Sequence, residues 1–157
     1  MNRPRFSRMI CSLTLAALAS SAAANAAAAA DPFKSWPPRA FLVKSLIKSV
    51  EATLKTYHPE TGRFGTEPWI CLDQNVLLPL AAAWSIKDAA NPYYHDRKLL
   101  AAIGKGGEAL ADAQDAEGKW LFRKKDNSTW GQIYMPWTIG AWIRAYVLVK
   151  DALPKPQ

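Results

Sequence analysis

The chain has 157 residues, of which 50% are hydrophobic, and this length suits one small domain with a buried core rather than two domains. Outside the first 30 residues Cys71 is the only cysteine, which excludes an internal disulfide framework. The only histidines are His58 and His95, and no pair of metal ligands occurs at a recognisable spacing. The sequence therefore predicts no metal site and no cofactor.

The first 30 residues have the three parts of a secretory signal peptide. Three arginines come first, an apolar run over 9–19 follows, and small residues over 24–30 offer cleavage sites. The apolar run is too short to span a membrane, although an uncleaved anchor is the alternative interpretation. We therefore expect a periplasmic or secreted domain over 31–157, without membrane association after cleavage.

The charge balance narrows the partners of this exported domain. Removing the three arginines would lower the formal net charge of +7 by three. The remaining excess of lysine and arginine is mild and is not concentrated in a long basic tract. We expect no binding to nucleic acid, whereas an acidic polysaccharide or oligosaccharide suits such a surface.

Four helical segments are predicted, and they alternate in character. The first, Pro38–Tyr57, has one apolar face and an opposite face rich in lysine. The second, Leu72–Lys87, is apolar almost all round and should be kinked by Pro79. The third, His95–Gln114, contains three glycines that either permit close packing or mark a break. The fourth, Tyr134–Ala152, is again apolar on most of its circumference.

The alternation predicts how the helices pair. A membrane span is the rival interpretation of the fourth segment, but Arg144 near its middle and its short length argue against one. A helix without a polar face must be surrounded by protein. We therefore expect an all-α fold in which two helical hairpins, each with an outer and an inner helix, form an arc of an α/α toroid. A compact four-helix bundle is the alternative, but it would give all four helices similar apolar stripes.

Two long connections carry the candidate binding residues. One covers 58–70, and the other covers 115–133 and contains a predicted β-hairpin with strands at 119–123 and 128–130. Antiparallel helices place both connections on one rim, at the N-termini of the inner helices, where N–H groups favour anions. Aromatic side chains that stack on sugars and polar side chains that bind them lie there. The candidates are Arg63, Trp69, Asp73, Gln74, Asn127, Trp130, Gln132, Tyr134 and Trp137. For each tryptophan, plugging the end of a helix is the alternative role.

The segment Lys105–Trp120 resembles the QW repeat of α/α-toroid proteins. In that repeat a helix ends in glutamine, the chain turns at glycine and a tryptophan packs across the hairpin. Gln114, Gly118 and Trp120 occupy these positions, whereas Ala109 stands where the repeat usually has an aromatic residue. The glutamine would satisfy free backbone groups and the tryptophan would supply packing.

More widely, the chain over 41–153 resembles the opening helices of heparinase II/III-like and alginate-lyase-like toroid proteins. The segments that carry this resemblance are 61–65, 69–74, 91–94 and 130–137. It implies binding of acidic polysaccharide and cleavage by β-elimination, in which a tyrosine or histidine transfers the proton. Tyr134 is the one catalytic candidate.

In the family that the chain resembles, the catalytic residues lie largely in later helices. We therefore expect an incomplete toroid that does not cleave polysaccharide by itself and that self-association or a partner chain completes. A non-catalytic periplasmic binding or interaction module is the alternative function. A terpene-cyclase-like toroid shares the QW-like turn, but Asp73 stands alone where an Asp-rich motif would be needed.

Overall fold

The computed structural model describes residues 37–154, so the predicted signal peptide over 1–30 lies outside the described residues. Within 37–154 the chain forms five helices and a two-stranded antiparallel sheet. The helices are α1 (Arg39–Leu54), α2 (Ile70–Asp73), α3 (Leu77–Ser85), α4 (Arg97–Asp112) and α5 (Pro136–Val149), with a 3₁₀ turn at Gln74–Val76. The strands are β1 (Trp120–Arg123) and β2 (Thr129–Ile133). Because α2, the 3₁₀ turn and α3 follow one another directly, the four helical segments and the hairpin are confirmed.

The second segment is interrupted ahead of its proline. Pro79 has no N–H, and its ring would collide with the carbonyl of Asn75 in a regular α-helix. The chain accordingly tightens into the 3₁₀ turn at Gln74–Val76, and Pro79 lies in the first turn of α3. The interruption thus lies before the proline and not at it.

The third segment is continuous through its glycines. Asp96 caps α4 by accepting a hydrogen bond of 2.7 Å from the N–H of Leu99. Gly106 is buried, and a Cβ atom there would lie 2.8 Å from Phe64 and 2.9 Å from Leu77. The glycines therefore permit close packing and do not break the helix.

The core is centred on α3. This helix packs most extensively on α5 and also contacts α1 and α4. Leu80, Ala81 and Ala83 have no accessible surface, and Ile103 of α4 and Ala145 of α5 are also fully buried. Since α3 has a helical neighbour on three sides, its lack of a polar face is fully accounted for.

The last helix does not meet the expectation that it is surrounded. Only Thr138, Ala145 and Val149 of α5 are buried, whereas Ile143 is 55% and Val147 58% exposed. The prediction that this segment is enclosed is therefore wrong for the described residues, because α5 packs chiefly on α3 and has no helix on its far side. None of the described helices is long and apolar enough to cross a membrane.

The hairpin before α5 contains a β-bulge. Phe122 pairs with Gly131 and Arg123 pairs with Thr129, so Trp130 is an extra residue on β2. Gly131 has a φ of 90°, a backbone conformation that favours glycine. A bulge bends a strand and redirects the side chain at that point, which here is Trp130.

Candidate functional site

The two long connections lie against each other, as predicted. The rings of Trp69, from the first connection, and Phe122, from the hairpin, have centroids 4.4 Å apart. Lys125 Nζ of the hairpin lies 3.5 Å from Glu67 Oε1 of the first connection. The hairpin and the residues before α2 therefore form one surface.

Three aromatic rings run from the interior to solvent across this surface. Trp69 is buried, Phe122 is half-buried, and Trp130 is 70% exposed. Trp130 stacks on Phe122 with a centroid distance of 4.9 Å and an interplanar angle of 14°. An exposed indole supported from beneath by two further rings is held in place and can receive a flat apolar ligand face. The bulge turns Trp130 onto the same side as Phe122.

Two lysines accompany the exposed rings. Lys124 Nζ lies 5.2 Å from the centroid of Trp130, and Lys119 Nζ lies 5.2 Å from that of Tyr134. Such a cation–π contact contributes about 0.5–1 kcal/mol at an exposed site. A hydrogen bond from Lys119 to Glu117 raises the pKa of that lysine, so its ammonium group stays charged at neutral pH. The outer aromatic rings thus have positive charge over their faces.

We call the set of Lys119, Lys124, Trp130 and Tyr134 the hairpin surface, in which the two lysines are half-buried. Of the predicted site residues, Trp130 and Tyr134 are exposed on it, and Trp137 is exposed in the first turn of α5. Gln132 is also exposed on β2, and Asn127, with a φ of 64°, lies in the tip of the hairpin.

Gln74, in contrast, is only 2% exposed and is bonded at both ends of its amide. Its Nε2 donates to the carbonyls of Gly62, at 3.0 Å, and Gly106, at 2.8 Å. Its Oε1 accepts from the N–H of Phe64 at 3.3 Å. Both polar atoms are used within the protein, so Gln74 joins the first connection to α4.

Asp73 and Arg63 form a second internal junction. The Asp73 carboxylate is buried, pairs with the Arg63 guanidinium and accepts a hydrogen bond of 3.2 Å from the N–H of Glu67. Arg63 also donates to the carbonyl of Glu67. Together with buried Trp69, these predicted site residues hold the first connection against the 3₁₀ turn and support the hairpin surface from below.

Sequence reasoning missed Phe122, Lys119 and Lys124. Phe122 follows Trp120 by two residues, so strand alternation places both on one face, and this pattern was a usable signal. The two lysines flank β1, but their positions over particular rings depend on the bulge.

The QW-like turn has the local structure that its residues predict. Gln114 Nε2 donates to the carbonyl of Gly118 at 3.0 Å, and Gly118 has a φ of 79°. Trp120 is buried, and its Nε1 donates to the carbonyl of Leu110 at 2.8 Å. The turn fixes the start of β1 to the end of α4.

The groups capable of proton transfer are scattered. His58 Nδ1 lies 3.5 Å from Glu60, whereas His95 stacks on Trp84 at the far end of α3. Burial raises the pKa of the Cys71 thiol to about 11, so Cys71 stays protonated and unreactive at neutral pH. No cluster of three or more potential metal ligands occurs within residues 37–154. Within the described residues, His58 and His95 therefore lie in different parts of the fold.

Fold and surface together define a small helical domain that presents an aromatic and cationic hairpin. Comparison with protein-family models, with curated proteins and with solved structures finds no match.

Proposed function

We propose that this chain is an exported carbohydrate-binding domain that holds an acidic polysaccharide on the hairpin surface. The observation that carries the proposal is the contact series of buried Trp69, Phe122 and exposed Trp130, with Lys124 over the outermost ring. An indole ring takes the apolar face of a sugar, and a lysine beside it attracts a carboxylate or sulfate.

The proposed site is open, and this sets the expected strength of binding. Trp130 and Tyr134 are both more than half exposed, so a sugar bound there would bury only one of its faces. The lysines act on the ligand through solvent, where added salt screens them. We expect weak binding that falls as ionic strength rises.

We further propose that the helical segments form an arc of an α/α toroid and that this arc belongs to a polysaccharide lyase. The packing of α3 on α5, with α1 and α4 also contacting α3, supports the arc. The turn at Gln114–Trp120 supports it as well. Tyr134 is the proposed proton-transfer residue, and its partner group would come from outside the described residues.

The test is to titrate the protein with alginate, heparin and pectate, and with neutral dextran as the comparison. NMR and tryptophan fluorescence measure the binding. We expect shifts at the hairpin surface with the acidic polymers and none with dextran. Trp130→Ala should weaken binding about tenfold or more, since stacking of a flat ring contributes roughly 1–3 kcal/mol by analogy with nucleic-acid bases. Phe41→Ala, at an exposed aromatic residue of α1, is the matched control. Equal binding of dextran, or no effect of Trp130→Ala, would contradict the proposal.

A second candidate function is a non-catalytic interaction module, and a separate observation favours it. The exposed side of α5 presents Ile143, Tyr146 and Val147 together, and contiguous exposed apolar surface marks sites of protein association. Val147→Glu should abolish association through this side while leaving glycan binding unchanged. Analytical ultracentrifugation and the titration above measure the two effects separately.

A further inference from the structure

A groove of about 660 Å³ lies between α4 and α5, and none of its lining residues belongs to the hairpin surface. On α4 it extends from Arg97 to Ala111, which corresponds to about 21 Å at a rise of roughly 1.5 Å per residue. Trp142 and Tyr146 of α5 line the opposite wall, and Leu153 lies against Gly104 of α4. The length matches about four turns of a helix.

The two walls of the groove differ in a way that suits a helical occupant. The α4 wall has the small residue Ala101 at an exposed position, whereas Leu153 packs on Gly104 and the ring of Trp142 packs on Gly107. The α5 wall has aromatic rings, and its apolar surface continues to the exposed side chains of Ile143 and Val147. The small side chain on the α4 wall and the aromatic rings on the α5 wall provide contacts for the residues at i, i+3, i+4 and i+7 of an amphipathic helix.

The rim of the groove has an excess of positive charge. Arg97, Lys105 and Lys150 lie along it, with Glu108 as the acidic residue. Lys150 Nζ pairs with Asp151 at 2.9 Å, whereas Arg97 and Lys105 have no ion pair within residues 37–154. An occupant with acidic side chains beside its apolar face would complement this rim.

We propose that the groove binds an amphipathic helix of a partner protein, with aspartate or glutamate on both flanks of its apolar face. This inference rests on the interaction module proposed above and identifies its partner. Helix α1 of a second copy of the chain fits the groove less well. Its solvent-facing side carries Lys44, Lys48 and Lys55 but only one acidic residue, Glu51. Lysine flanks would face the like-charged rim, and like charges across an interface oppose binding.

The test uses two synthetic helical peptides of about four turns with the same leucine face, one with glutamate flanks and one with lysine flanks. We expect the glutamate peptide to bind the purified protein more tightly and to shift the NMR signals of Leu100, Gly104 and Trp142. The double variant Arg97→Glu/Lys105→Glu should reverse the preference, because each rim pair contributes about a two- to fivefold change in affinity. Lys98→Glu, next to Arg97 but outside the groove lining, is the matched control and should change little.

A second variant locates the binding. Ala101→Trp fills the groove from an exposed position of α4 and should abolish peptide binding, whereas Val147→Glu, outside the groove lining but on the apolar surface that continues from it, should weaken peptide binding less. If Val147→Glu abolished peptide binding and Ala101→Trp did not, the groove would not be the binding site, whereas the proposed interaction module would still be supported. No binding of either peptide would overturn the partner helix, and equal binding of both would overturn its acidic character. Dimers that Ala101→Trp disrupts would identify a second copy as the occupant and refute the proposal.

Discussion

Helices α3 and α5 have nearly the same apolar character but different surroundings. In α3 the residues Leu77, Leu80 and Ala81 are closed off by α1, α4 and α5, whereas in α5 Ile143 and Val147 remain exposed. The sequence pattern of both helices indicates that apolar surface needs cover. The comparison shows that an apolar pattern predicts that a helix face needs to be buried. It does not predict which element buries that face, or whether a neighbouring segment of the chain does so.

The largest expected difference between the two helices concerns side-chain truncation. Leu80→Ala should lower the free energy of unfolding by about 2–5 kcal/mol, because it leaves a cavity in a closed core. Val147→Ala should change it by less than about 0.5 kcal/mol, since that side chain is largely in solvent already. Urea unfolding followed by circular dichroism measures both. Similar losses from the two variants would show that α5 is covered in solution, for example by association.

The next effect concerns the polar junction in front of α3. Gln74→Met keeps the shape of the side chain but leaves the carbonyls of Gly62 and Gly106 and the N–H of Phe64 without their partner. We expect a loss of about 3 kcal/mol in unfolding free energy, because buried unsatisfied groups cost roughly 1–3 kcal/mol each and part of that cost relaxes. Gln132→Met, at an exposed position of β2, is the matched control and should be nearly neutral. A neutral Gln74→Met would mean that water enters the junction.

The fold was predictable where a single helix or turn determines its own structure. Amphipathic periodicity identified α1 and α4, and the QW-like turn at Gln114–Trp120 has the hydrogen bonds that its residues predict. The exposure of α5 was not predictable, because it depends on the absence of a neighbour within the described residues. The position of the break before Pro79 could have been deduced from the carbonyl with which its ring collides.

The candidate site was predictable in its location but not in its members. Loop lengths placed the hairpin beside the first connection, and the contact between Trp69 and Phe122 agrees. Polarity alone made Gln74 look like a ligand residue, since an amide serves a buried backbone as well as a sugar. Only the coordinates separate the two roles, because the burial of Gln74 depends on Gly62 and Gly106, which lie 12 and 32 residues away in sequence, and not on its own segment.

The third expected effect uses Cys71, which precedes α3 and lies beside Thr138 of α5. Burial raises the pKa of this thiol from 9.0 to about 11, against a smaller opposing effect of the Thr138 hydroxyl. Below pH 9 the thiol is protonated in folded and unfolded chains, so its contribution to stability is complete. Between pH 9 and 11 only the unfolded chain releases the proton, so stability should fall by about 2 kcal/mol as the pH rises.

The matched control for this pH effect is Cys71→Ala, which removes the titrating group and retains the other groups that ionise in the same range. The wild-type protein should therefore lose more stability than the variant between pH 9 and 11, as measured by urea unfolding at each pH. Parallel pH profiles of the two proteins would show that the thiol is hydrated, and hence that α5 separates from α2 in solution.

The smallest expected effect compares two adjacent glycines of α4, one facing α3 and one facing α5. A Cβ at Gly106 would meet Phe64 and Leu77, which are fixed in the core, whereas a Cβ at Gly107 would meet the ring of Trp142 at the edge of the groove. Alanine gains about 1 kcal/mol of helix propensity at either position, while overpacking costs roughly 1–3 kcal/mol. Gly106→Ala should therefore lower stability by up to about 2 kcal/mol. Gly107→Ala should be closer to neutral although its contact is tighter, because the Trp142 side chain can rotate into the groove. The fluorescence of Trp142 should then shift towards that of a hydrated indole. The reverse order of stabilities, with unchanged Trp142 fluorescence, would show that α5 is held as firmly as α3.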